Sequence, residues 1–100
     1  MNDDPRFKPL AEGVITAPAA SATVHGLQTI SEGATRLRLQ NLDTANHVYL
    51  RWNNDAAATT SFDLWPWMWV DYEWEAARLK ELEIIGTGAE SVYVIQEQFA

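Results

Sequence analysis

Thr35-Arg36-Leu37-Arg38-Leu39-Gln40, residues 35–40, is the stretch that decides the fold. Leu37 and Leu39 face one way and Arg36, Arg38 and Gln40 the other, the period of a strand with one face on a core and one in solvent. Just downstream, Asn41 to Asn46 has the chemistry of a turn, and Val48, Leu50 and Trp52 then alternate with His47, Tyr49 and Arg51. The two segments are expected to pair as a hairpin. Upstream, Thr23 to Ile30 reads as a first strand, closed by Ser31-Glu32-Gly33. Further on, Asn53-Asn54-Asp55 opens a surface loop running to about Thr60. The strong helix formers Ala76 to Leu82 suit a helical turn or two, and the preferred reading is a turn leading into a strand through Leu82, Ile84 and Ile85. Gly86-Thr87-Gly88-Ala89-Glu90 then reads as a hairpin loop into a last strand, Ser91 to Gln98. Short alternating segments separated by turn residues predict an all-β fold, a small antiparallel β-sandwich or jelly-roll-like barrel.

Residues 1–21 differ from the rest. They mix charge, two prolines and then Ala17-Pro18-Ala19-Ala20-Ser21, with a period of neither 3.6 nor 2. This reads as an extended N-terminal arm (1–21) ahead of the sandwich domain (22–100). Phe7, Leu10, Val14 and Ile15 are apolar anchors that a solvated tail does not need, and they point to an arm ordered against a partner subunit. A frayed terminus is the plainer alternative.

A chain of 100 residues supports one core, and without cysteine neither a disulfide framework nor a thiolate metal site supplements it. Packing, with the help of neighbouring subunits, has to supply stability. An apolar content of 47% with five tryptophans is that of a globular domain. A formal charge of −7 repels polyphosphate, so no nucleic-acid partner is expected. No apolar run approaches a membrane span, and Asp3-Asp4 stands where a signal peptide carries positive charge, which predicts a soluble protein made in the cytoplasm, with no membrane partner.

The sequence holds no assembled chemistry. His25 and His47 read as exposed strand residues, and no His-x-His, His-Glu-x-x-His or Asp-x-Asp-x-Asp-Gly spacing marks a metal site. No serine sits in a Gly-x-Ser-x-Gly elbow, and Gly86-x-Gly88 opens no helix that would cradle phosphate. Asp71, Glu73 and Glu75, like Glu81 and Glu83, read as solvated acidic faces. The expectation is a protein that is not an enzyme, with no catalytic residue, cofactor or metal.

The positive signal is aromatic. Four tryptophans fall within residues 65–74, more than one small sandwich needs for its core. Trp65, Trp67 and Trp69 share one parity, which turns acidic at Asp71, and are assigned to a half-exposed surface. Met68, Val70, Tyr72 and Trp74 share the other and are assigned to the core. Exposed indoles in series mark a protein interface or a sugar-stacking platform; a strand covered on both faces is the plain alternative.

Arg36-Leu37-Arg38-Leu39-Gln40-Asn41-Leu42, then Val48-Tyr49-Leu50, and finally Gly86 to Glu97 with Val92-Tyr93-Val94-Ile95, together resemble small β-sandwich virion proteins of tailed bacteriophages. The resemblance spans roughly Thr35 to Glu97. In that family a strand ending in Gln-Asn leads to a Val-Tyr-Val strand, and a Leu-x-Pro-Gly turn to a closing hairpin. Here Leu64-Trp65-Pro66-Trp67 stands in place of the Leu-x-Pro-Gly, which leaves the turn at Pro66 open. The resemblance implies a structural role on the capsid surface of the virion: a decoration or cement protein, a trimer, bound to the major capsid protein or other virion proteins. A carbohydrate- or receptor-binding fibre or spike module, and a tail, neck or head-fibre component, are the alternatives.

Overall fold

The computed structural model describes residues 4–52 and 55–100. Asp3 with the start of the expected arm, and Asn53-Asn54 at the mouth of the expected loop, lie outside the described residues. Among the described residues there are eight strands: β1 (Phe7–Thr16), β2 (Ala22–Thr23), β3 (Arg36–Asn41), β4 (Val48–Arg51), β5 (Phe62–Leu64), β6 (Trp69–Glu73), β7 (Glu83–Ile85) and β8 (Ser91–Phe99). Two single helical turns, α1 (Val24–Leu27) and α2 (Ala76–Leu79), interrupt them.

The strands form two four-stranded sheets in the orders β1-β8-β3-β6 and β2-β7-β4-β5, and every pairing is antiparallel. This order is that of a jelly roll, two interlocked Greek keys folded face to face. The all-β sandwich expected from the alternation is therefore the fold. Leu37 and Leu39 of β3 and Val92 and Val94 of β8 meet Val48 and Leu50 of β4, Leu64 and Ile84 across a single core.

Several local expectations are corrected. Residues 35–40 and 48–52 do not pair: β3 lies between β8 and β6, while β4 lies between β7 and β5. Alternation places the leucines of both on the core, and two strands that face each other across a core carry the same alternation as two that pair. The link between them is a crossover from one sheet to the other. Gly86 to Glu90 is likewise a crossover and not a hairpin loop, since β7 and β8 belong to different sheets. It runs beside the β1–β2 crossover, tied to it by Gly86 N–H to Pro18 O (2.8 Å), Gly88 N–H to Ala17 O (3.0 Å) and Ala17 N–H to Glu90 O (2.8 Å). Position 86 has to be glycine, because a Cβ there would stand 2.2 Å from the Glu90 carboxylate and 2.8 Å from the Ala17 Cβ. Thr23 to Ile30 is no strand beyond its first residue: the Thr23 hydroxyl accepts from Gly26 N–H (2.9 Å) and starts the one turn of α1.

The expected arm is corrected too. Phe7–Thr16 is β1, an edge strand paired along its length with β8 through a bulge between Pro9 and Ala11. Ile15 is inside the core and Leu10 packs against it, so the division at residue 21 cuts through the first sheet. The backbone hydrogen bonds and core side chains that hold β1 come from its own chain, and this overrides its lack of regular alternation.

Carboxylates pin three of these junctions. The side chain of Arg6 hydrogen-bonds Asp4 and holds its carboxyl well below the usual range. Backbone N–H groups of Asn46 and Ala45 lower Asp43. Burial pushes Glu90 up, but hydrogen bonds from the Thr87 hydroxyl and N–H outweigh it and hold Glu90 low. A carboxyl depressed in the folded chain binds its proton more readily when unfolded. The stability it contributes is full above the unfolded value, near pH 4, and is lost as pH falls through the folded one. Urea unfolding midpoints are expected to fall steadily from pH 5 to pH 3, less steeply in Glu90→Gln; a flat or rising profile would contradict these placements.

Candidate functional site

The site is built on the turn between β5 and β6. Trp65 O accepts from Met68 N–H at 3.0 Å, with Pro66 and Trp67 at the two central positions. Trp67 has φ 65°, and among the described residues it is the only non-glycine with positive φ. Proline followed by a left-handed residue is the pattern of a type II turn, whose third position normally takes glycine or asparagine. The turn left open by the sequence thus forms with a bulky indole in the glycine position, at a steric cost on the order of 1–2 kcal/mol.

The end of β3 holds this turn in place. Asn41 O accepts from Trp67 N–H (2.7 Å) and Asn41 N–H donates to Met68 O (3.1 Å). The Asn41 amide donates to Leu64 O (3.0 Å) and Asn46 O (2.9 Å), and the Gln40 amide to Trp67 O (3.1 Å). The Gln-Asn pair is therefore a socket for the turn, a role that the sequence reading missed. The signal available was two amide side chains in succession at a strand end, each able to bond backbone that a tight turn leaves unpaired.

Around the socket the indoles splay. Trp65, 59% exposed, leans on His47 at a ring distance of 5.0 Å. His47 is set by a 2.6 Å contact between its Nδ1 and Asp63 Oδ1, which replaces the freely exposed histidine expected there. Trp67, 56% exposed, stands at the tip. Trp69 turns the other way, onto the outer face of the first sheet, edge-on to Tyr93 at 6.0 Å and under the Arg38 guanidinium at 5.4 Å. Among the described residues no ring contact joins the three indoles to one another.

Strand register extends the site across the sheet. Trp69 lies opposite Gln40, Gln40 opposite Tyr93, and Tyr93 opposite Val14, so these four side chains share the outer face in one row about 14 Å long. The Tyr93 hydroxyl donates to Glu12 at 2.6 Å, and this hydrogen bond raises the phenol's pKa above its usual value. Val14, exposed at the far end of this row, thus shares a face with Trp69 although 55 residues separate the two in sequence.

The other anchors are elsewhere. Ile15 is buried in the core and Leu10 packs on it. Phe7 is buried at the opposite end of the sheet, stacked on Phe99 at 5.3 Å with the Arg36 guanidinium 4.0 Å from its ring centroid. Phe7 and Ile15 are therefore buried within their own chain, and Leu10 is half-buried. Met68 and Trp74, assigned to the core by parity, are exposed; only Val70 and Tyr72 of that set pack on the core, because β6 is an edge strand and the chain turns off it at both ends.

The two strand arginines also depart from expectation. Arg36, 2% exposed, and Arg38 are buried on the outer face. Neighbouring strands place acids in register with them, Glu73 and Glu97 beside Arg36 and Asp71 beside Arg38. Arg36 bonds Glu97 at 2.7 Å and Asp4 at 3.3 Å, and Arg38 bonds Asp71 at 3.1 Å. No group of three or more metal-ligating side chains converges among the described residues. No family model, curated protein or solved structure matches this chain.

Proposed function

We propose that the chain is a non-enzymatic phage virion protein, a capsid decoration or cement protein that docks on the major capsid protein lattice through the knob of Trp65, Trp67 and Trp69, with Tyr93 and Val14 in the same outer row as Trp69. The observation that carries the reading is Trp67. The turn would be less strained with glycine, and an indole there both strains the backbone and exposes apolar surface. In the free chain it offers little in return; pressed into a groove of a neighbouring protein it is the large, rigid side chain that dominates binding energy. Copies attached to a repetitive shell, as trimers or singly, multiply weak contacts into stable coverage.

A carbohydrate-binding module is the second reading, favoured by a cavity of about 300 Å³ beside His47 and Tyr49. Three indoles splayed over a tip do not form the shared flat platform on which a sugar chain would stack. Cosedimentation separates the readings: the chain is expected to pellet with phage shells lacking it and to pass unretained over immobilised polysaccharide. Retention on polysaccharide that disappears in Trp65→Ala, without binding to shells, would replace the first reading by the second.

A further inference from the structure

We infer that a groove at the other end of β6 is a receptor for an arginine side chain of a partner protein. The groove has a volume of about 350 Å³ and is lined by Thr35, Glu73, Trp74, Glu75 and Phe99. Two of these are exposed aromatic rings, Phe99 at 65%. Two are carboxylates, and the buried Thr35 hydroxyl has no hydrogen-bond partner among the described residues. Glu75 has no ion-pair partner among the described residues. Glu73 stands 3.9 Å from Arg6, whose guanidinium is already held two-pronged by Asp4 at 2.8 and 3.2 Å. The lining side chains thus offer acceptors and π-surface, and the carboxylates oppose an anion.

A guanidinium is a planar set of donors with no acceptor, which matches carboxylates at its edge and rings at its face. The molecule itself repeats the arrangement one strand away: Arg36 lies 4.0 Å from the Phe7 ring centroid and is gripped by Glu97 and Asp4. Arg78 covers the Trp74 ring at 4.4 Å without lining the groove, so this indole already binds a guanidinium of its own chain and Phe99 is the more open ring of the groove. At about 3.3 Å per residue, the five residues of β6 put this groove roughly 13 Å from the tryptophan turn. The chain would then grip through two separate contacts of unlike chemistry. This inference does not rest on the capsid reading, since any partner with an exposed arginine satisfies it.

The test is titration of the isotope-labelled full chain with N-acetyl-arginine amide at fixed ionic strength, following the Trp74 indole N–H by NMR. A saturable shift is expected, weakened at least fivefold in Glu73→Gln/Glu75→Gln and in Phe99→Ser, whose other indole signals report that the fold is kept. The neutral isostere N-acetyl-citrulline amide is expected to give no saturable shift. Equal responses to citrulline and arginine, a lysine analogue binding as tightly as arginine, or indifference to both variants would overturn the assignment.

Discussion

Trp67→Gly is expected to unfold at a higher urea concentration than Trp67→Ala, by about 1 kcal/mol, while both variants lose attachment to the partner shell by roughly 30-fold or more. The order of stability is the informative part. At most strand and loop positions alanine is the better choice, because glycine has more conformational freedom to lose on folding. At φ 65° any Cβ crowds the backbone, so alanine keeps the strain of the parent, whereas glycine relieves it. Attachment falls in both because the indole is gone, and a loss of about 2 kcal/mol at a binding hot spot corresponds to the 30-fold change. Alanine proving the more stable would mean that the turn is not strained. Unchanged attachment would mean that the indole at the tip is not what the partner holds.

Arg36→Met is expected to destabilise the chain by about 3 kcal/mol or more, and adding Glu97→Leu to recover most of that loss. Arg36 is buried and bonds Glu97 at 2.7 Å; removing it takes away the shorter of the two arginine contacts that this carboxylate has among the described residues, the other being Arg38 at 3.9 Å. The single variant also removes the guanidinium from the Phe7 ring and from Asp4, and so loosens the start of β1. An apolar pair of similar size needs no such compensation, which is why the double variant regains stability. Guanidinium chloride unfolding of the parent, both single variants and the double closes the cycle. Additive losses would show that the two side chains act independently.

The fold class was legible because alternation is a local property: Leu37-x-Leu39 and Val92-x-Val94 point to a strand whichever neighbours they acquire. Pairing was not legible, because strands that face each other across a core alternate like strands that pair. β1 escaped for a related reason. Its Lys8, Pro9 and bulge interrupt the period, as edge strands commonly do to discourage pairing with other chains, and the interruption read as an arm. Parity placed Trp65, Trp67 and Trp69 on the surface but misplaced Trp74, and it gave no sign of their company: Val14 and Tyr93 share a face with Trp69 only through register across three strand pairs. Arg36 and Arg38 misled for the opposite reason, since side chains that alternate away from the core read as solvated until the acids on flanking strands are known.

Whether the tip of the turn meets another protein is measured directly by a photo-crosslinking residue, p-benzoylphenylalanine, placed at position 67 of the full chain. After assembly onto shells and irradiation, mass spectrometry is expected to find position 67 joined to the major capsid protein. Crosslinks confined to other copies of this chain, or an absence of crosslinks on shells that carry the protein, would contradict the account.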